Sequence, residues 1–141
     1  ALMLNGIPAD QAVIAEGNFT CRSGYNAMVE ILDSGKTVDA VVCGNDQMAI
    51  GALYCLKERG IRVPEDIAVA GFNDNVPASL VTPSLTTMRV PKAEMGSCAF
   101  DLFQRRNGGD QSARIQIQLG SELIVRQSTD ANAQTTWELD W

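Results

Sequence analysis

Three short segments concentrate the residues able to meet a small polar ligand: Glu16-Gly-Asn-Phe19, Gly44-Asn-Asp46 and Gly71-Phe-Asn-Asp74. Each sets a compact amide or carboxylate beside a glycine, and the first and third add an aromatic ring. Asn45 and Asn73 each carry donors and an acceptor, and Phe19 offers an apolar plate. That set suits a sugar ring or a nucleobase with one weakly polar face. The same residue types build helix caps and turns, so Asn45 and Asp46 also read as a cap, Asp74 as a cap or turn residue, and Phe19 as a core aromatic.

Catalysis finds little support in the composition. The 141 residues include no histidine, which removes imidazole bases, the triads that depend on them and His-containing zinc sites. Asp46 and Asp74 are two carboxylates without further ligand-spaced residues, so no metal site is expected. Gly6, Gly17 and Gly24 are too dispersed for a phosphate loop, and no cofactor is implied. The cysteines at 21, 43, 55 and 98 form no Cys-x-x-Cys pair. Those at 43, 55 and 98 fall inside expected strands or helices, as small apolar residues of a reducing compartment do.

Seventeen acidic against eleven scattered basic residues give a net charge of −6, so this chain alone offers no surface for DNA phosphates. A 45% hydrophobic content and a mean hydropathy near zero describe one globular domain. The longest apolar runs are strand-length, which rules against a membrane helix.

The candidate residues need elements to position them, and from Gln11 onward β-rich runs alternate with helical periodicity, the βαβ signature of an α/β fold. The first residues look like a helix ending at Gly6. Residues 13–15 read as a strand. Thr20 caps a helix with Tyr25, Met28, Val29 and Leu32 on one face, stopped by Gly35. A second strand spans 40–43. The next helix carries Ala49, Ala52, Leu53 and Leu56, with Ile50 and Tyr54 as a second apolar edge and Gly60 past its end. Residues 67–72 are apolar on both faces, as in a central parallel strand covered by helices on either side. Residues 75–83 hold at most a short helix, 85–89 are extended, and Pro91 opens a helix over 92–107 that ends at Gly108-Gly109. Alternation at Ile115, Ile117 and Leu119, then at Leu123 and Val125, predicts two extended pieces near a sheet edge. From Thr129 the polar tail, with Trp137 and Trp141, is expected to be disordered.

The order and spacing of Val42-Cys-Gly-Asn-Asp-Gln-Met-Ala-Ile-Gly-Ala52, Gly60-Ile-Arg-Val-Pro-Glu-Asp-Ile-Ala-Val-Ala-Gly-Phe-Asn-Asp74 and Thr82-Pro-Ser-Leu-Thr-Thr87 closely resemble the lactose and galactose repressor (LacI/GalR) family. The likeness extends over about residues 1–129. It implies a parallel sheet flanked by helices, the C-terminal lobe of a type I periplasmic-binding-protein-like fold, incomplete in this chain. Residues 1–128 would form an effector-binding and dimerisation fragment, with 89–118 belonging to or crossing into the first lobe, and 129–141 a tail.

By the same resemblance, Phe19 packs on the effector and Asn45 reaches its hydroxyls. Asn73 stands where many members carry an effector-binding Asp, which removes a charge from the pocket. Asn18, Asp74, Val90 and Lys92 would border the pocket. Ile50, Leu80 and Val81 match dimer contacts, and Tyr54 extends that edge. The implied protein is a cytoplasmic transcription regulator, not an enzyme. Its effector would be a sugar or sugar acid, it would be a homodimer or higher oligomer, and it would reach DNA only through an N-terminal helix-turn-helix domain outside these residues. The alternative is a periplasmic sugar-binding protein of an uptake system with the same fold. The stripe Met95, Cys98, Ala99, Leu102 and Phe103 on the 92–107 helix is expected to lack its packing partner within this chain.

Overall fold

A computed structural model of the chain describes residues 3–6, 8, 12–108 and 115–134. A 3-10 turn, Met3–Asn5, comes first, and Gly6 after it is left-handed. Helix α1, Cys21–Asp33, begins at a reciprocal cap in which the Ser23 N–H donates to the Thr20 hydroxyl and the Thr20 N–H donates to that of Ser23. Helix α2, Asp46–Glu58, begins where the Met48 N–H donates to Asn45 Oδ1 at 2.9 Å. The two helices approach backbone to backbone. A Cβ at Gly24 would collide with the Met48 main chain, and one at Gly51 with the Cys21 carbonyl. Around this contact Met28 and Ile31 of α1 and Ala49, Ala52, Leu53 and Leu56 of α2 form the core with Val69 and Leu85.

Strands β1 (Ala40–Val42), β2 (Ala68–Asn73), β3 (Thr86–Arg89) and β4 (Glu122–Ile124) lie in that order in one sheet. The first three are parallel, and β4 runs antiparallel to β3 with Met88 opposite Leu123. The short helix α3, Pro77–Leu80, joins β2 to β3, and helix α4, Lys92–Asn107, follows β3. Among the described residues no helix is long and apolar enough to cross a membrane.

Several expectations need correction. Residues 13–15 form no strand, although Val13 and Ala15 touch the core. A strand needs a ladder partner, and instead a groove of about 610 Å³ lies between this run and β1. The outer edge of β1 is unpaired among the described strands, and Val42 is 83% exposed. Residues 115–119 are not a strand either; β4 starts later, and its alternation is inverted from the apolar pair Leu123 and Val125. Those two are exposed while Arg126 is buried, because the Arg126 guanidinium finds a carboxylate and a carbonyl inside.

Strand β2 is buried at Val69 and Gly71 but only half-buried at Ala68 and Ala70, with Phe72 exposed, so the described helices cover mainly one of its faces. The chain at 128–129 is anchored, where a disordered tail was expected to begin. Ser128 accepts the Val69 N–H on its carbonyl, donates its hydroxyl to the Val69 carbonyl and donates its N–H to that of Ser84. Thr129 meets the Thr86 hydroxyl at 2.6 Å. Trp137 and Trp141 lie outside the described residues.

Helix α4 buries none of its residues. Phe100 and Phe103 stand 58% and 64% exposed, and of the expected stripe only Cys98 and Leu102 are partly covered. Each large apolar side chain left in water forgoes about 1.5–3 kcal/mol of stabilisation.

Candidate ligand-binding site

The parallel register decides which loops share an end of the sheet. Val42 pairs with Ala70 and Asn73 with Arg89. Asn45 follows Val42 by three residues, as Asn73 follows Ala70. Both asparagines therefore leave the carboxyl edge of neighbouring strands, where ligands of open parallel sheets bind. Phe19 joins them from the loop before α1, because Asn45 Nδ2 donates to the Phe19 carbonyl at 3.0 Å. Its ring lies beside Gly44, where a Cβ would sit 3.3 Å from the nearest ring carbon.

Backbone strain gathers at this edge. The positive-φ non-glycine residues among those described are Phe19 (63°), Asn73 (105°) and Asp74 (51°). Such conformations cost on the order of 1–3 kcal/mol each and persist where surroundings enforce them. Phe19 is 63% exposed despite its size. Asn73 is half-buried, and no described group hydrogen-bonds its amide.

The other candidates are more committed. Asn45 caps α2 with its oxygen and holds Phe19 with one N–H, leaving one N–H and one lone pair. Asn18 Oδ1 accepts the Thr20 hydroxyl at 2.7 Å and is exposed. Lys92 Nζ donates to the Asp74 carbonyl at 3.2 Å and to Asn75 Oδ1 at 3.1 Å, and the Val90 carbonyl accepts the Lys92 N–H.

Both aspartates of the motifs turn inward. Asp46 is 1% exposed; its Oδ1 accepts the Thr87 hydroxyl at 2.6 Å and its Oδ2 the Asn75 N–H at 2.7 Å. Asp74 accepts Arg89 Nε on Oδ2 at 2.7 Å and pairs Oδ1 with Arg126 Nη2 at 2.8 Å. Burial alone would raise the Asp74 carboxyl, but hydrogen bonds from Arg89 and Arg126 outweigh it and hold the group below its ordinary value. Among the described residues no group of three or more Cys, Asp or Glu side chains is placed to hold a metal ion.

Thr87, Arg89 and Arg126 were not singled out by sequence reasoning. Two threonines at the head of a strand and one arginine ending an alternating apolar run were the available signals. Cys43 and Cys55 are buried, Cys98 is half-buried and Cys21 is exposed. Burial pushes the Cys43 thiol up to about 11, which leaves it protonated and unreactive at neutral pH.

Ile50 and Tyr54 lie elsewhere. With Cys21, Arg22, Tyr25 and Glu58 they line a groove of about 530 Å³ between α1 and α2, where the Tyr25 hydroxyl donates to Glu58 at 2.8 Å. Leu80 and Val81 line a different groove, with Gln127 and residues 131–134.

The profile of the family described as "Periplasmic binding protein-like domain" matches residues 1–129. The transcriptional regulator CelR of Thermobifida fusca is 37% identical over 128 residues, 91% of this chain and 38% of CelR. The repressor PurR of Salmonella arizonae is 38% identical over 115 residues, 82% of this chain and 34% of PurR. Among solved structures, a CelR–cellobiose complex superposes with a TM-score of 0.86 at 36% identity, over 90% of this chain and 39% of that one. A LacI family regulator from Enterococcus faecium with bound ribose gives 0.81 at 30% identity, over 91% and 47%. The chain thus spans less than half the length of each of these proteins.

Proposed function

Because the chain belongs to the periplasmic binding protein-like domain family, we propose that it is the second-lobe part of the effector-binding and dimerising domain of a LacI-type transcription regulator. The observation that carries this reading is Asn73, half-buried, left-handed and with an amide unmatched by any described group, on the same sheet edge as Asn45 and Phe19. A half-buried amide held in a strained conformation with no partner among the described residues is suited to a ligand that supplies one.

The effector in this reading is a sugar or sugar acid. Support comes from the cellobiose of the CelR complex and the ribose of the Enterococcus regulator, and from the chemistry of the edge. Phe19 packs on the apolar face of the ring, Asn73 hydrogen-bonds its hydroxyls through both the oxygen and the N–H groups of its side-chain amide, and Asn45 adds its free N–H. Asn18, Val90 and Lys92 border the ligand, while Asp74 shapes the edge from behind. The role is sensing rather than catalysis, in the cytoplasm, with DNA contacted by a domain other than this one. Helix α4 packs, in the whole protein, on the first lobe.

Dimerisation uses Ile50 and Tyr54 with Leu80 and Val81, which present apolar area on two grooves. Ile50→Asp with Leu80→Asp moves the whole protein from dimer to monomer in sedimentation; an unchanged dimer refutes the assignment. The site is tested by calorimetric titration of the whole protein with cellobiose, ribose, other pentoses and hexoses, and sugar acids. Asn45→Ala and Asn73→Ala each weaken binding by about 1–3 kcal/mol, the cost of unpairing a buried polar group. Unchanged affinity in both variants, or no binding across the panel, overturns this reading.

A further inference from the structure

Behind the candidate ligand edge a continuous polar relay joins the two ligand-bearing loops. Asn45 is followed by Asp46 and Asn73 by Asp74. Asp46 Oδ1 accepts the Thr87 hydroxyl at 2.6 Å, and Thr87 Oγ1 in turn accepts the Asp74 N–H at 3.3 Å. Asp46 Oδ2 accepts the Asn75 N–H at 2.7 Å, closing the brace on the far side of Asp74. Every polar atom of Asp74 is thereby engaged: its N–H by Thr87, its carbonyl by Lys92 Nζ, and its two carboxylate oxygens by Arg89 and Arg126.

Arg126 is the most firmly fixed member. Its side chain is 7% exposed, Nη1 donates to the Leu85 carbonyl at 2.9 Å, and its N–H donates to Thr86 Oγ1 at 2.7 Å. Arg89, by contrast, is 37% exposed and shared with Glu122 at 3.7 Å. A planar guanidinium held at two points sets the direction of the carboxylate it grips more tightly than a single flexible cation could. Asn73 and Asp74 are consecutive left-handed non-glycine residues, a pair that relaxes toward ordinary φ values unless something enforces it.

We infer that Arg126, through its grip on Asp74, is a positioning residue of the ligand edge: it holds the Asn73 backbone left-handed and so aims the Asn73 amide. This rests on the effector reading for its consequence in binding, but not for its consequence in backbone geometry. Arg126 itself touches no ligand. The relay through Thr87 and Asp46 passes the same constraint, more weakly, to the loop that carries Asn45.

The test uses the whole protein carrying this sequence, as wild type, Arg126→Met, Asn73→Ala and the double variant, titrated with cellobiose and with ribose. Proton NMR on the same proteins reads the strong intraresidue amide-to-Hα contact that a left-handed Asp74 gives, and that of Asn73 where Asn73 is present. Arg126→Met is expected to weaken sugar binding at least tenfold when Asn73 is present and less than threefold when it is Ala, and to lose the left-handed signal at 73 and 74. A residue that only stabilised the fold would lower Tm while its binding loss added independently to that of Asn73→Ala. Full additivity, or a retained left-handed signal, overturns the inference. If neither sugar binds the wild type, the effector reading is what fails, and the NMR signal alone decides the positioning role. If Arg126→Met does not fold, Arg126→Lys replaces it, with the signal at 73 and 74 again required to weaken.

Discussion

In the α1–α2 pair, glycines at 24 and 51 bring two helix backbones into contact and Met28, Ile31, Leu53 and Leu56 are buried around them. In α4, Met95, Phe100 and Phe103 remain in solvent and no residue is buried. Both regions are regular helices with large apolar side chains, so neither periodicity nor helix-forming residues separates them. What separates them is a partner. The first region carries its complement within the chain, as facing glycines and an apolar sheet face; among the described residues nothing complements α4. An apolar stripe is therefore a demand for burial that the described residues meet around α1 and α2 but not at α4.

The largest expected effect breaks the polar brace on the packed side. Asp74→Asn leaves the Arg126 guanidinium buried without its counter-charge, which costs about 3–5 kcal/mol near neutral pH. The folded-state carboxyl titrates below its ordinary value of about 3.9, with Arg89, Arg126 and the Lys92 ammonium around it and Asp46 across Thr87. Its stabilisation is thus complete above the unfolded value and disappears as pH falls through the folded one. Denaturant titrations from neutral to acid pH should find the two proteins converging in acid. Asp66, which the Arg62 side chain holds down to about 2, titrates in both and cancels from the difference. A constant gap at every pH contradicts the assignment.

Next in size is a contrast between the regions. In the 141-residue chain Leu56→Ala costs about 2–5 kcal/mol, because it empties a fully buried site. Phe103→Ala stays within about 0.5 kcal/mol there, since its ring already meets water. The same Phe103→Ala change in the whole protein becomes costly if α4 is covered by the first lobe. Equal losses for both substitutions in the short chain would erase the distinction.

The smallest effects have opposite signs. Gly51→Ala drives a methyl into the Cys21 carbonyl and destabilises by about 1–3 kcal/mol. Gly96→Ala in α4 meets nothing within 4 Å and stabilises by about 0.5–1 kcal/mol through helix propensity alone. Thermal unfolding of the two variants side by side reads the sign directly.

How much of this was legible in the sequence follows the same division. Helices α1, α2 and α4 were readable because periodicity and capping are local: Thr20, Asn45 and the left-handed Gly60 mark ends whatever lies nearby. The run at 13–15 was misread as a strand because a ladder depends on a neighbour that composition does not reveal. Alternation at Leu123 and Val125 marked an extended piece without saying which face is buried, and apolar character usually outweighs charge in choosing the inside. Arg126 reverses that rule by burying a charge against Asp74, a residue 52 positions away. At the candidate site, Phe19, Asn45 and Asn73 were visible from strand-end chemistry and family likeness. The inward turn of Asp46 and Asp74, and the threonine linking them, depend on register between distant strands and could not be seen beforehand.

The central claim, that the carboxyl edge of β1 and β2 recognises a sugar, is tested most directly by titrating the isotopically labelled whole protein with cellobiose and with ribose. The side-chain amide signals of Asn45 and Asn73 are followed together with the main-chain signals of Ile50 and Tyr54. The account predicts saturable shifts of both asparagine amides with at least one sugar, larger than any shift at Ile50 or Tyr54. Saturable shifts confined to Ile50 and Tyr54, with the asparagine amides unmoved, would place the ligand in the α1–α2 groove and contradict it.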